Sequence, residues 1–89
     1  MWFITLVKFR RKPTKADTDA INARFAEAAS WGVKRHHSWW TLGRYDAVIV
    51  SEAPDEKTAM KFAMWAASDL SHTETMVAVD REEAIKMLG

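Results

Sequence analysis

Thr41-Leu42-Gly43-Arg44-Tyr45-Asp46 separates two apolar-rich runs with the residues that a tight reversal needs. Trp39 and Trp40 precede this stretch, and the run at positions 47–50, Ala-Val-Ile-Val, follows it. Glycine adopts the positive backbone dihedral of such a turn without steric cost, and an aspartate just beyond it can accept hydrogen bonds from nearby backbone amides. The stretch therefore predicts the corner of a β-hairpin, with a strand on each side at positions 34–41 and 46–52.

Upstream of the hairpin, the pattern predicts one strand and one helix. Residues 2–10 are β-branched and aromatic, and both of their alternating sets are apolar, which is typical of a strand that is buried on both faces. From 14 to 31 the apolar residues recur at spacings of three and four. Thr14 and Asp17 form a capping-box pattern, and Gly32 supplies the C-terminal stop, so this segment is predicted to be an amphipathic helix.

Downstream of the hairpin, a helix, a strand and a short last helix follow. Asp55 is the predicted N-cap of a helix whose broad apolar face extends to Leu70. Residues 73–79 alternate as a fourth strand. Asp80 and Glu83 have the spacing of a capping box at the start of a terminal helix.

The element order βαββαβ followed by a short helix is that of a ferredoxin-like α+β domain. It predicts a four-stranded antiparallel sheet with two helices on one face, in a single domain that comprises residues 1–89. Helices can cover only one side of this sheet, whereas the first strand is apolar on both sides. We therefore expect the open side to pack against the same face of a second copy, as a homodimer or a higher homo-oligomer.

Three short motifs resemble the GYD domain family. They are Thr41-Leu42-Gly43-Arg44-Tyr45-Asp46, then Glu52-Ala53-Pro54-Asp55 after a β-branched run, and Thr73-Glu74-Thr75. The match runs from Phe3 to Val79. The resemblance implies a dimeric α+β barrel in which two sheets close around a shared interior, and it implies no particular activity. The second strand is more polar and richer in tryptophan than is usual for the family.

Composition excludes several kinds of partner and chemistry. Thirteen basic and twelve acidic residues leave a formal charge of +1, which does not favour nucleic acid or an acidic membrane. The chain has no cysteine, so disulfides, thiolate nucleophiles and thiolate metal sites are excluded. No secretory signal pattern or membrane-spanning run is evident, and we expect a cytoplasmic protein without a cofactor.

Strand faces predict which side chains line the barrel interior. In the first strand, Trp2, Ile4 and Leu6 are assigned to the helix side, which leaves the alternate set with Thr5 facing the interior. In the fourth strand, the set with Thr75 is assigned to the interior. The candidate ligand-binding residues are Phe3, Thr5, Phe9, His37, Trp39, Thr41, Tyr45 and Thr75. Aromatic side chains with isolated hydroxyls are typical of sites for small, largely apolar ligands.

The facing of the second strand is open. Alternation places His37, Trp39 and Thr41 toward the interior and His36 on the opposite side, but one bulge would reverse this assignment. Adjacent strand residues point to opposite faces, so His36 and His37 cannot chelate one metal ion without such a bulge. No metal site is predicted.

Three functions fit these residues. The first is a dimer that binds a small apolar ligand in the barrel interior. The second is a cofactor-independent oxygenase or isomerase acting on an aromatic substrate, with His37 as general base, Tyr45 and Asp46 as its hydrogen-bond partners and Trp39 as a stacking wall. The third is an oligomeric interaction module in which the aromatic residues only pack the dimer interface.

Several conspicuous residues have a structural interpretation. Gly43 and Asp46 are expected to shape the turn. Met60, Met64 and Met76 are expected in the core. The basic run between positions 8 and 15 is predicted to be a solvated loop rather than a surface for nucleic acid.

Overall fold

The computed structural model describes all residues from 1 to 89 as four antiparallel strands and three α-helices. The elements are β1 Trp2–Phe9, α1 Lys15–Ala28, β2 Lys34–Trp40, β3 Ala47–Glu52, α2 Glu56–Trp65, β4 Ser71–Ala78 and α3 Arg81–Lys86. The strands form one sheet in the order β2-β3-β1-β4. This confirms the predicted ferredoxin-like α+β fold. None of the three helices has the length and apolar character required to cross a membrane.

Helix α1 begins and ends as its sequence predicts. The Thr14 hydroxyl accepts from the Asp17 amide at 3.2 Å, and the Asp17 carboxylate accepts from the Thr14 amide at 2.7 Å, which completes the capping box. A single 3₁₀ turn, Ala29–Trp31, extends the helix. Gly32 then takes a left-handed conformation with φ of 87°, which turns the chain toward β2.

The other two helices differ in detail from the expectation. Asp55 caps α2 by accepting from the Thr58 amide at 2.8 Å, as predicted. Helix α2 ends at Trp65, whereas its apolar pattern extends to Leu70. Beyond the end of the helix, the Ser68 hydroxyl accepts a hydrogen bond from the Leu70 amide, and this local bond competes with helical hydrogen bonding. Asp80 accepts from the Glu82 amide, so the predicted box with Glu83 does not form.

The core lies between the sheet and helices α1 and α2. Its buried residues are Phe3, Phe25, Ala28, Val33, Ala53, Ala59 and Phe62. Phe3 is only 1% exposed, and its ring centroid lies 6.4 Å from that of Phe62 on α2. The predicted facing of β1 is therefore wrong: the set that contains Phe3 and Thr5 faces the helices. Both alternating sets are apolar, so periodicity alone could not tell the two faces apart.

The opposite side of the sheet, which we call the open face, carries the other set. Leu6 pairs with Val48 on one side and with Glu74 on the other, and Ile4 pairs with Val50 and Met76 in the same way. Directly paired residues share a face. The predicted facing of β4 is wrong for the same reason as that of β1, because Thr75 pairs with Thr5 and lies on the helix side.

A bulge in β2 brings both histidines to the open face. The register of β2 against β3 shifts between Arg35 and His37, which leaves His36 as the extra residue. The ring of His36 lies 4.4 Å from that of Trp2, an open-face residue, and its Nε2 lies 2.9 Å from a carboxylate oxygen of Glu52. The predicted placement of His36 on the opposite side from His37 is thus wrong.

The three methionines assigned to the core are exposed instead. Met60 and Met64 are 64% and 72% exposed on α2, and Met76 lies on the open face. Helix α2 presents Ala59 and Phe62 to the core. The methionine pair, one turn apart, therefore occupies the outer surface of the same helix.

Candidate functional site

A cavity of about 280 Å³ lies between the sheet and the two long helices. Thr5 and Phe9 of β1 and Trp40 of β2 contribute to its sheet side, and Ile21 of α1 and Ala63 of α2 contribute to its helix side. Phe9 and Trp40 meet edge to face, with ring centroids 5.5 Å apart. The volume is near the lower end of the range of ~300–1,000 Å³ that is typical of small-molecule sites.

The cavity exists because small side chains face one another across the two layers. Ala20, Ala63 and Ala66 line it from the helices, and Thr5 and Thr75 line it from the sheet. Phe25 and Phe62 of the core cluster also line it.

One pair of charges at the cavity is mutually neutralised. The guanidinium of Arg11 donates to both carboxylate oxygens of Asp17, at 2.7 and 3.0 Å. This bond, reinforced by the amide and hydroxyl of Thr14, holds the pKa of Asp17 well below its usual range. The same bond raises the pKa of Arg11. Both groups therefore stay ionised, and each neutralises the charge of the other.

Two further arginines line the cavity without a carboxylate partner. Nη1 of Arg24 donates to the backbone oxygen of Trp65 at 2.9 Å, and its guanidinium lies 4.9 Å from the Trp65 ring. The guanidinium of Arg35 lies 4.6 Å above the ring of Phe25. Both positions combine a fixed cation with an aromatic surface.

The sheet divides the predicted ligand-binding residues into two groups. Thr5, Phe9 and Thr75 line the cavity on the helix side. Trp39 and His37 lie on the open face, where their rings stack 4.7 Å apart with an interplanar angle of 8°.

The other three predicted residues, Phe3, Thr41 and Tyr45, belong to neither group. Phe3 is in the core. The hydroxyl of Thr41 donates to the backbone oxygen of Tyr45 at 2.8 Å, within the turn. The predicted set therefore does not form one site.

The candidate catalytic residues are engaged separately. The hydroxyl of Tyr45 donates to Glu74 at 2.6 Å, which raises the pKa of Tyr45. The carboxylate of Asp46 accepts from the Phe9 amide at 2.8 Å. His37 stacks on a tryptophan, and neither Tyr45 nor Asp46 hydrogen-bonds to it. No group of three or more His, Asp or Glu side chains is arranged to hold a metal ion.

Sequence reasoning missed Trp40, Arg24 and Arg35 as cavity residues. The bulge at His36 hid the facing of Arg35, since strict alternation from Trp39 places Arg35 on the open face. One signal was present in the sequence: alanine or serine occupies positions 63, 66, 67, 68 and 71, around the end of the second helix. Where small residues on a helix lie opposite threonines on a sheet, the side chains leave unfilled space between the two layers.

The chain matches a family of known proteins over nearly its whole length. The sequence model of the GYD domain matches residues 3–88, nearly the whole chain, and this range includes the turn at positions 41–46. No curated protein shows significant sequence similarity to the chain. The chain belongs to the GYD domain family.

Proposed function

We propose that this GYD-domain protein is a homodimer that binds a small, largely apolar molecule in the cavity between the sheet and the helices of each subunit. The observation that carries the proposal is the cavity itself, which has aromatic and aliphatic walls, hydroxyl groups such as those of Thr5 and Thr75, and charged side chains among its lining residues. Concave apolar sites with sparse polar groups are how small ligands are held and oriented. This location differs from the sheet-to-sheet interior expected from the sequence.

The size of the cavity indicates the size of the ligand. An engineered apolar cavity of about 150 Å³ is large enough to bind benzene. The present cavity has a volume of about 280 Å³, nearly twice as large. A molecule with one or two rings matches this space, and the rings of Phe9 and Trp40 offer it edge and face contacts.

The open face supports the dimeric part of the proposal. Trp2, Trp39 and Met76 are 39%, 52% and 42% exposed there. Complete burial of such a side chain is worth roughly 1.5–3 kcal/mol. A second copy of the same face would cover these residues through a two-fold axis, and each subunit's cavity, on the other side of the sheet, would remain accessible.

The test uses 1-fluoronaphthalene, a neutral two-ring probe, followed by ¹⁹F NMR. Ala63→Phe fills the cavity from α2, and Ala84→Phe adds the same group to α3, outside the cavity. We expect wild type and Ala84→Phe to bind alike and Ala63→Phe to bind at least tenfold more weakly. Circular dichroism checks that both variants fold. Equal binding by the two variants would place the probe on an exterior apolar surface and refute the cavity as the site.

A further inference from the structure

We infer that the ligand carries a carboxylate, which Arg24 and Arg35 bind, while its ring system occupies the apolar cavity. The inference rests on the proposed binding site and names the chemical class of its ligand: an aromatic carboxylic acid with one or two rings.

The first argument is the distribution of charge around the cavity. Three arginines line it, and Arg11 is already satisfied by Asp17. None of the ion pairs in the structure includes Arg24 or Arg35. Both guanidinium groups are therefore free to pair with an anionic ligand at the cavity.

The second argument is where the lining carboxylates lie. Asp17 is bonded to Arg11, and Asp69 is close enough to Arg11 to contribute to raising its pKa. Both acidic groups thus interact with Arg11, the arginine that already has a carboxylate partner. The excess positive charge of the cavity wall therefore belongs to Arg24 and Arg35.

The third argument is that neighbouring groups position the guanidinium groups of Arg24 and Arg35, which have no carboxylate partner. The bond from Arg24 to the Trp65 carbonyl and the stacking of Arg35 over Phe25 fix both groups before a ligand arrives.

A positioned guanidinium fork matches the planar geometry of a carboxylate, and less entropy is lost when a fixed group forms the bond. An aromatic acid would place its ring against the same apolar wall. These features together distinguish an acid from a neutral apolar ligand.

The test compares 4-fluoro-1-naphthoate with 4-fluoro-1-naphthamide, a neutral molecule of the same shape, by ¹⁹F NMR at about pH 7, where the acid is ionised. We expect wild type to bind the acid at least tenfold more tightly than the amide, since hydrogen bonds to charged groups are the stronger kind. Equal affinity for the two probes would overturn the inference.

Variants then assign the effect to the arginines. Arg35→Met keeps an unbranched apolar stem over Phe25 but removes the charge, and Arg44→Met removes the same charge from the turn, outside the cavity. We expect Arg35→Met to weaken binding of the acid about tenfold and to weaken binding of the amide much less, since hydrogen bonds to a charged group are the stronger kind. Arg44→Met should change neither. A loss of acid binding in both variants would show a non-specific charge effect and contradict the inference.

The two proposals fail in distinguishable ways. If 1-fluoronaphthalene binds wild type but not Ala63→Phe, and the acid shows no advantage over the amide, only the carboxylate inference is wrong. If 1-fluoronaphthalene does not bind at all and neither naphthyl probe does, the cavity is not a ligand site, and both proposals are overturned.

Discussion

Asp46 ties the turn between β2 and β3 to the neighbouring strand β1. Its carboxylate accepts from the amide of Phe9, its own amide donates to the carbonyl of Val7, and its carbonyl accepts from the amide of Thr41. These three bonds satisfy backbone groups at the point where the sheet pairing ends. Lys8 lies 3.6 Å from the same carboxylate and balances its charge. The contacts of Asp46 thus give it a role in sheet architecture.

Two glycines with positive φ allow the cost of conformation to be separated from the cost of a clash. Gly43 has φ of 112°, and a β-carbon added there would meet nothing within 4 Å. Gly32 has φ of 87°, and a β-carbon there would lie 2.7 Å from Cγ of Pro54. Left-handed conformations cost other residues roughly 1–2 kcal/mol. Only at Gly32 is steric overlap added to this cost.

We therefore predict that Gly43→Ala lowers the free energy of unfolding by about 1 kcal/mol, and that Gly32→Ala lowers it by at least twice as much. Denaturant unfolding of the two variants beside wild type measures both values. The glycines serve as controls for each other because both have positive φ. An equal loss would mean that Pro54 moves aside without cost and that conformation alone explains both glycines.

At the scale of elements, the sequence predicts which segments form strands and helices but not which face of the sheet meets the helices. Turn chemistry and caps are local, so Thr14, Asp55 and Gly43 could be interpreted from their neighbours. The facing of β1 depends on tertiary packing, because both of its alternating sets are apolar. The polar side chain of Thr5 led to the wrong facing, because its hydroxyl lies at a cavity on the helix side of the sheet and not at an interface with a second sheet.

The candidate site was only partly predictable for the same reason. Thr5, Phe9 and Thr75 were identified, but as part of an interior shared by two subunits. The bulge at His36 reverses the facing of the residues of β2 that precede it, and no residue type in that strand indicates a bulge. Arg35, which lines the cavity from β2, could therefore not be found by counting alternate positions, and Arg24 lies on α1, where strand alternation does not apply.

The start of helix α1 predicts how stability depends on pH. Asp17 has a pKa well below its usual range because Arg11 and Thr14 bind its ionised form. The folded protein thus binds this proton less tightly than the unfolded chain does. The stabilisation is complete above the unfolded pKa of about 3.9 and is lost as the pH falls below it.

We predict that Asp17→Asn melts at a lower temperature than wild type at neutral pH and that its melting temperature falls less steeply below about pH 4. Asp19→Asn, which makes the same charge change on the same helix at an exposed i,i+4 pair with Lys15, should keep the acid dependence of wild type. Melting temperatures from about pH 7 to about pH 2 provide the measurement. A steep acid dependence that persists in Asp17→Asn would assign the effect to other carboxylates.

At the scale of the whole molecule, the sheet has two different surfaces. Its helix side holds a core at Phe3 and a cavity at Thr5 and Thr75, and its open face exposes Trp39 and Met76. A domain of this size buries a modest share of its surface, which makes association a natural way to complete its burial. The proposed dimer and the proposed ligand site therefore use opposite sides of one sheet and do not compete for the same side chains.

This arrangement predicts that association can be lost without loss of the ligand site. Trp39→Glu places a charge on the open face, beside the ring of His37 and opposite Val48, and burial of an unpaired charge in an interface is strongly unfavourable. Met64→Glu makes a comparable change at a side chain that is 72% exposed on α2. We expect wild type and Met64→Glu to be dimers at micromolar concentration and Trp39→Glu to be a monomer in sedimentation equilibrium.

The monomer should still bind 1-fluoronaphthalene, because the cavity lies on the other side of the sheet. A wild type that sediments as a monomer would show that the open face does not pair with itself.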